Sequence, residues 1–278
     1  MDLSIQALIM GLVQGLTEFL PISSSGHLIL VPWLFEWKDP FINSLAFSVM
    51  LHMGTLLALV VYFWRDWLKL IPAGLATIRD RSFKNDPDRK MAWLIAVATV
   101  PAIIVGPIFS DTVESWVREP AKVAVMLCVG AAILWLADRW GSKAREMGSL
   151  TFRGAFGIGV AQVIALVPGI SRSGISISAG LLQGLNREAA ARFSFLMATP
   201  VVAGAGAWEA RKLITHEAGV NPSAHLVLIG FVAAAVSGLL AIHFMLEFLK
   251  RRPLTGFVVY RIVAAVIVFI VLLSPHGA

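Results

Sequence analysis

The side chains in this 278-residue chain that could do chemistry fall into two short stretches. In the first, Gln14 and Glu18 are four residues apart and share one helix face. Ser23, Ser24, Ser25, Gly26 and His27 follow closely. Glu18 interrupts an apolar run, where a carboxylate is costly and marks function, its simpler role being a structural partner for Arg172 or Arg261. Hydroxyls and a glycine at the start of a short helix suit an anion. The free N–H groups and the positive dipole end favour phosphate, and Gly26 lets backbone approach a ligand. Ser24 and His27 are three residues apart, and such pairs serve as nucleophile and base. The plainer roles are helix capping for the serines and core packing for the histidine.

The second stretch holds Ser171, Arg172, Ser173, Gly174 and Ser176. Arg172 is the only charge between Gly154 and Leu185. Its rigid fork of donors fits phosphate oxygens, and its simpler role is an ion pair with Glu18. Ser176 and Ser178 extend the hydroxyls or cap the following helix. Arg261, after Tyr260, interrupts the last apolar run; it could pair with a carboxylate or snorkel to the interface, and the structural role is preferred. His52, beside Met53 and Gly54, is read as structural rather than cavity-facing. His216, His225, His243 and His276 belong to no cluster. Glu188, Arg187 and Arg192 are placed near the cytoplasmic interface. These groups make no dedicated metal cage. A divalent cation bridging Glu18 and a diphosphate is plausible chemistry, because Mg²⁺ is often held by one or two carboxylates plus substrate phosphates.

The elements that position these residues are membrane helices. The chain is 58% hydrophobic and 14% charged, with mean hydropathy +0.79, where a soluble domain carries roughly a quarter charged residues. Cys128 alone excludes an internal disulfide or a cysteine metal site. The net charge of +6 sits in short loops between apolar runs, so topology explains it better than nucleic acid does. No base precedes Lys38, so a cleavable signal peptide is not expected.

A spanning helix needs about 20 apolar residues. Six segments qualify, at about 42–63, 91–109, 121–137, 189–208, 223–246 and 254–273. Two other stretches break at Pro21 and at Pro168-Gly169 into two short halves, 3–20 with 27–36 and 154–168 with 175–185. Each is expected to form a re-entrant hairpin, tolerated at depth only against protein or a wet cavity. The bases of loops 64–90, 138–153 and the turn after 246 place these inside, and 110–120 and 209–222 outside. The hairpins then enter from opposite faces, each followed by three spans.

The hairpins also match in sequence. Gly11, Gln14, Ser23, Ser25 and Gly26 recur as Gly159, Gln162, Ser171, Ser173 and Gly174, a shift of 148 throughout (171 minus 23). Phe47-Ser48 and Phe193-Ser194 follow at a shift of 146 (193 minus 47). The expected fold is an all-α polytopic membrane protein with six transmembrane helices, two re-entrant hairpins and an inverted-topology repeat. It forms one membrane domain over 1–278: half one about 1–137, a cytoplasmic loop about 138–153, half two about 154–273. Broken helices in such repeats meet near the midplane around a site.

Gln14-Gly-Leu-Thr-Glu18-Phe-Leu-Pro-Ile-Ser-Ser-Ser-Gly-His27 and Pro168-Gly-Ile-Ser-Arg172-Ser-Gly-Ile-Ser176 resemble the two signatures of the undecaprenyl-diphosphate phosphatase (bacitracin-resistance protein) family. The likeness extends to Phe63-Trp64-Arg65, Pro101 with Gly106, Phe193-Ser194-Phe195 and Tyr260-Arg261, in order along nearly the whole chain. It implies a multi-pass enzyme of the bacterial inner membrane, open toward the periplasm. Such an enzyme hydrolyses undecaprenyl diphosphate to the monophosphate and phosphate, recycling the lipid carrier of peptidoglycan synthesis and conferring bacitracin resistance. The family's acid falls on Glu18, its nucleophile on Ser24 or His27, and its phosphate-binding arginine on Arg172 with Ser171, Ser173 and Ser176 around it. Gln14, Ser23, Ser25, Gly26 and Gly174 complete the substrate-binding set. Mg²⁺ or Ca²⁺ is implied, with Glu18 as the metal residue. Gln14 stands where a glutamate is frequent, which leaves the acid–base work to Glu18. The expected partners are the polyprenyl diphosphate lipid and the bilayer, not nucleic acid, and a homodimer is compatible with the chain.

The rival is a polyprenyl-phosphate flippase or transporter using the same site, since inverted repeats with broken helices also build transporters. Ser-Ser-Ser-Gly-His favours chemistry. The type-2 phosphatidic acid phosphatases also carry Ser-Gly-His, but need a histidine soon after the arginine, and the next here is His216. A scaffold leaves Glu18 and Arg172 without a purpose.

Overall fold

The computed structural model describes residues 1–117, 119–214 and 223–274. The described residues form helices α1 Leu3–Phe19, α2 Ser24–Leu34, α3 Leu45–Tyr62, α4 Trp64–Asp80, α5 Pro87–Val117, α6 Pro120–Trp140, α7 Phe152–Val163, α8 Arg172–Leu182, α9 Arg187–Ile214, α10 Ala224–Leu249 and α11 Thr255–Leu273, with 3₁₀ turns at Met147–Ser149 and Ile164–Leu166. Six helices are long and apolar enough to cross a bilayer: α3, α5 over Pro87–Ile108, α6, α9 over Arg187–Trp208, α10 and α11. Each answers to one of the six expected spans, and the chain is a multi-pass membrane protein. Large apolar side chains such as Ile103, Leu228, Leu240 and Ile270 remain exposed on these helices, as a lipid-facing surface requires.

Three loop expectations are corrected. The stretch 64–90, read as a loop, holds α4. Leu68, Ile71, Leu75 and Ile78 recur at helical spacing and are exposed on one side of it. The stretches 110–120 and 209–222, also read as loops, continue α5 as far as Val117 and α9 as far as Ile214. His216 and His276 lie outside the described residues.

Small residues decide which helices touch, since lipid offers no hydrophobic drive for apolar helices to associate. α1 lies along α10 and α7 along α5. A Cβ on Gly11 would meet the carbonyl of Gly230, and one on Gly15 would strike Ser237 and Ala234. A Cβ on Gly159 would strike the Ala98 carbonyl. α9 is the most buried of the six long helices; its Phe195 packs edge-on against Phe19 with ring centres 5.4 Å apart. Ion pairs fix the helix ends. Arg187 Nε donates to Asp138 at 2.6 Å, whose other oxygen accepts from Leu254 N at 3.1 Å. Arg192 Nη2 donates to Asp66 at 2.6 Å.

Candidate active site between the two helix breaks

Both helix breaks have the same local build. Ser23 and Ser171 each have φ 77°, a left-handed conformation that costs a non-glycine residue about 1–3 kcal/mol. Each caps the helix that follows. Ser23 Oγ accepts from Gly26 N at 3.3 Å, and Ser171 Oγ accepts from Gly174 N at 3.0 Å. The breaks are also tied together: Gly169 N donates to Ser23 Oγ at 3.0 Å and Ser173 Oγ donates to the Leu20 carbonyl at 3.1 Å.

Arg261 locks this junction. It is fully buried, and donates from Nη1 to the Pro21 carbonyl at 3.2 Å and from Nη2 to the Gly169 and Ile170 carbonyls at 2.6 and 2.9 Å. Its Nε reaches the Leu127 carbonyl at 3.1 Å. Gly130 leaves room for the guanidinium, which a Cβ there would strike. Arg261 thus neither pairs with a carboxylate nor snorkels. The preferred structural role holds, through backbone carbonyls that helix breaks leave without partners.

Breaking the helices here turns one polar cluster inward. Glu18 is 5% exposed. One carboxylate oxygen accepts from Arg172 Nη2; the other accepts from Ser24 Oγ at 2.5 Å and from Gln14 Nε2 at 3.1 Å. His52 Nε2 stands 3.6 Å from the second oxygen. Its Nδ1 is 2.7 Å from the Ser48 carbonyl, which only accepts, so Nδ1 carries the proton. His52 therefore faces the cavity, against the structural reading. A cavity of about 250 Å³ is lined by Glu18, Ser24, Ser25, His52 and Arg172 among others. A second, of about 490 Å³, shares Ser25 and His52 and is walled by Leu28, Ile29, Trp33 and Trp37. Both cavities set polar groups against apolar walls, Val49, Val163 and Val202 in the first and Leu28, Ile29, Trp33 and Trp37 in the second, a lining that suits an amphiphile.

The other site candidates take different places. His27 is buried with both ring nitrogens engaged. Nδ1–H donates to the Ser23 carbonyl at 2.7 Å and Nε2 accepts from the Tyr260 hydroxyl at 2.8 Å. It lines neither cavity, and Ser24 bonds to Glu18 instead. Ser23, Ser171 and Ser173 are absorbed in the breaks. Ser176 Oγ donates to the Arg172 carbonyl at 2.7 Å and lies 2.6 Å from Ser194 Oγ, joining α8 to α9. Gly26 and Gly174 supply the capped N–H groups. Sequence reading undervalued His52 and Tyr260. A polar side chain in mid-span was the signal for the first; the second left none beyond its place beside Arg261.

No group of three His, Cys, Asp or Glu able to hold a metal occurs among the described residues. One buried acceptor nonetheless has no hydrogen-bond partner beside the Glu18 carboxylate, Gln14 Oε1. Glu18 lines the cavity and Gln14 does not, so Glu18 completed by diphosphate oxygens is the donor set that would suit a hard divalent cation.

The sequence model of the family described as bacitracin resistance protein BacA matches residues 7–267. Curated relatives named undecaprenyl-diphosphatase align along nearly their whole length. The one from Desulforudis audaxviator is 41% identical over 268 residues, covering 96% of this chain and 97% of its own. That from Moorella thermoacetica is 43% identical over 264 residues, 95% and 96%. That from Geotalea daltonii is 46% identical over 265 residues, 94% and 95%.

Proposed function

The chain belongs to the bacitracin resistance protein BacA family, and from that membership and the site we infer that it is an undecaprenyl-diphosphatase. It hydrolyses undecaprenyl diphosphate to undecaprenyl phosphate and inorganic phosphate, recycles the lipid carrier of cell-wall synthesis and confers bacitracin resistance. The observation that carries the chemistry is the hydrogen bond Glu18 accepts from the Ser24 hydroxyl while Arg172 is bonded to the same carboxylate.

In the proposed mechanism the polyprenyl chain lies against Leu28, Ile29, Trp33 and Trp37 and the diphosphate reaches Glu18, Ser24 and Arg172. Ser24 Oγ attacks the terminal phosphorus and Glu18 takes its proton. The P–O bond to the bridging oxygen breaks, and undecaprenyl phosphate departs with the electron pair. Glu18 passes the Ser24 proton to the departing undecaprenyl phosphate and then takes one from water, which attacks the phosphorus. The bond to Ser24 Oγ breaks, and Ser24 regains its proton from Glu18 as inorganic phosphate leaves. Arg172 offsets the charge on the phosphoryl oxygens, the usual large contribution in this reaction. His27, held by Ser23 and Tyr260, positions the first break, and its engaged nitrogens favour Ser24 as nucleophile. A Mg²⁺ or Ca²⁺ ion, held by Glu18 and the substrate's own phosphate oxygens, would neutralise diphosphate charge.

The two breaks form re-entrant hairpins of an inverted repeat within one membrane domain. Supporting this are the shift of 148, the equal φ of Ser23 and Ser171, and Arg261 gripping Pro21 and Gly169, themselves 148 apart (169 minus 21). With the basic loops cytoplasmic, the protein lies in the bacterial inner membrane with its site open toward the periplasm. Lipid flipping is the weaker reading, since the relatives above are named as phosphatases.

The test is phosphate release from undecaprenyl diphosphate by the detergent-purified protein, with and without EDTA. EDTA-sensitive release is expected. No release from folded protein would return the site to lipid transport.

A further inference from the structure

One group in the cavity wall is left over by this mechanism. Gln162 is 4% exposed and lines the cavity of Glu18, Ser24 and Arg172. Neither its Nε2 nor its Oε1 has a hydrogen-bond partner. A buried amide left unmatched costs about 1–3 kcal/mol for each group, so such a side chain is kept for something absent from the folded chain alone. Arg172 Nη1, in the same wall, is likewise buried without a partner.

The internal match explains why Gln162 is unmatched. Its counterpart, Gln14, donates to Glu18 four residues on, at 3.1 Å. Four residues after Gln162 stands Leu166, which offers no acceptor and itself lines the cavity. Where the first half places a carboxylate, the second leaves an unmatched amide in the cavity wall that also holds Arg172.

We propose that Gln162 is a diphosphate-binding residue, donating from Nε2 to a phosphoryl oxygen beside Arg172 Nη1. Its Oε1 accepts from a water or protonated oxygen carried in with the ligand. The proposal deepens the phosphatase reading and rests on it for the identity of the ligand.

Gln162→Met keeps an unbranched chain of similar length and removes both polar atoms. Because it removes an unmatched buried amide, the thermal midpoint without ligand should equal or exceed that of the parent. The KM for undecaprenyl diphosphate should rise about tenfold to a hundredfold, the loss expected for a hydrogen bond to a charged group. Gln162→Glu, which sets an anion against the phosphates, should raise KM at least as much. Stabilisation by added inorganic pyrophosphate, read as a shift in thermal midpoint, should shrink in both. An unchanged KM and pyrophosphate shift in either folded variant would overturn the proposal. So would a lowered midpoint with normal KM, which marks a structural amide. A parent that releases no phosphate, yet is stabilised by pyrophosphate through Gln162, would sink the phosphatase reading and leave the binding residue standing.

Discussion

Arg172→Lys separates a fork from a point charge. Arg172 holds Glu18 with Nη2 while Nη1 remains for a ligand, and an ammonium cannot do both in one plane. We expect kcat/KM to fall about a hundredfold, near the loss for one preorganised donor in an acyl-transfer site. Activity within a factor of about three of the parent would contradict that geometry. Glu18→Gln removes the acceptor of the Ser24 proton, and kcat should fall about 10²- to 10⁴-fold, the range for general base catalysis. Tyr260→Phe asks about His27. It deletes the donor to Nε2, so if His27 only positions the break, kcat should change by less than about tenfold. Glu18, Ser24 and Arg172 were legible in the sequence because a charge or hydroxyl cluster in an apolar run is conspicuous. The direction of each side chain was not. Ser24 and His27 at a spacing of three suggested a pair, but Ser24 turns to Glu18 and His27 to Tyr260, which is 233 residues away.

The elements answer to different physics. The six long helices were legible because bilayer thickness fixes the length of an apolar run. α4 was not, because its uncharged stretch from Leu70 to Ile78 is too short to span and lies between Arg65, Asp66 and Lys69 at one end and Arg79 and Asp80 at the other. Its exposed Leu68, Ile71, Leu75 and Ile78 fit a helix lying in the membrane interface. The breaks depend on Arg261, whose sequence position disclosed none of its partners. Arg261→Met would leave four carbonyl bonds unmade. Each buried group left unsatisfied costs about 1–3 kcal/mol, so loss of folded protein on thermal challenge in detergent is expected. A thermal midpoint equal to the parent's would show that other groups hold the junction.

Across the whole molecule, a shared framework carries unlike chemistry. At the shift of 148, Ser24 stands opposite Arg172 (172 minus 24), and Glu18 opposite Leu166 (166 minus 18). One break supplies the hydroxyl and its acceptor; the other supplies the cation. Neither half holds a complete site, and the fold's task is to bring the breaks within reach of one carboxylate. The measurement that tests this most directly is phosphate release from undecaprenyl diphosphate by Ser24→Ala beside His27→Ala, both confirmed folded by thermal midpoint. The account predicts that Ser24→Ala loses about a thousandfold or more in kcat, as deletion of a nucleophile does, and that His27→Ala retains more activity than Ser24→Ala. Turnover by Ser24→Ala within about tenfold of the parent would contradict it.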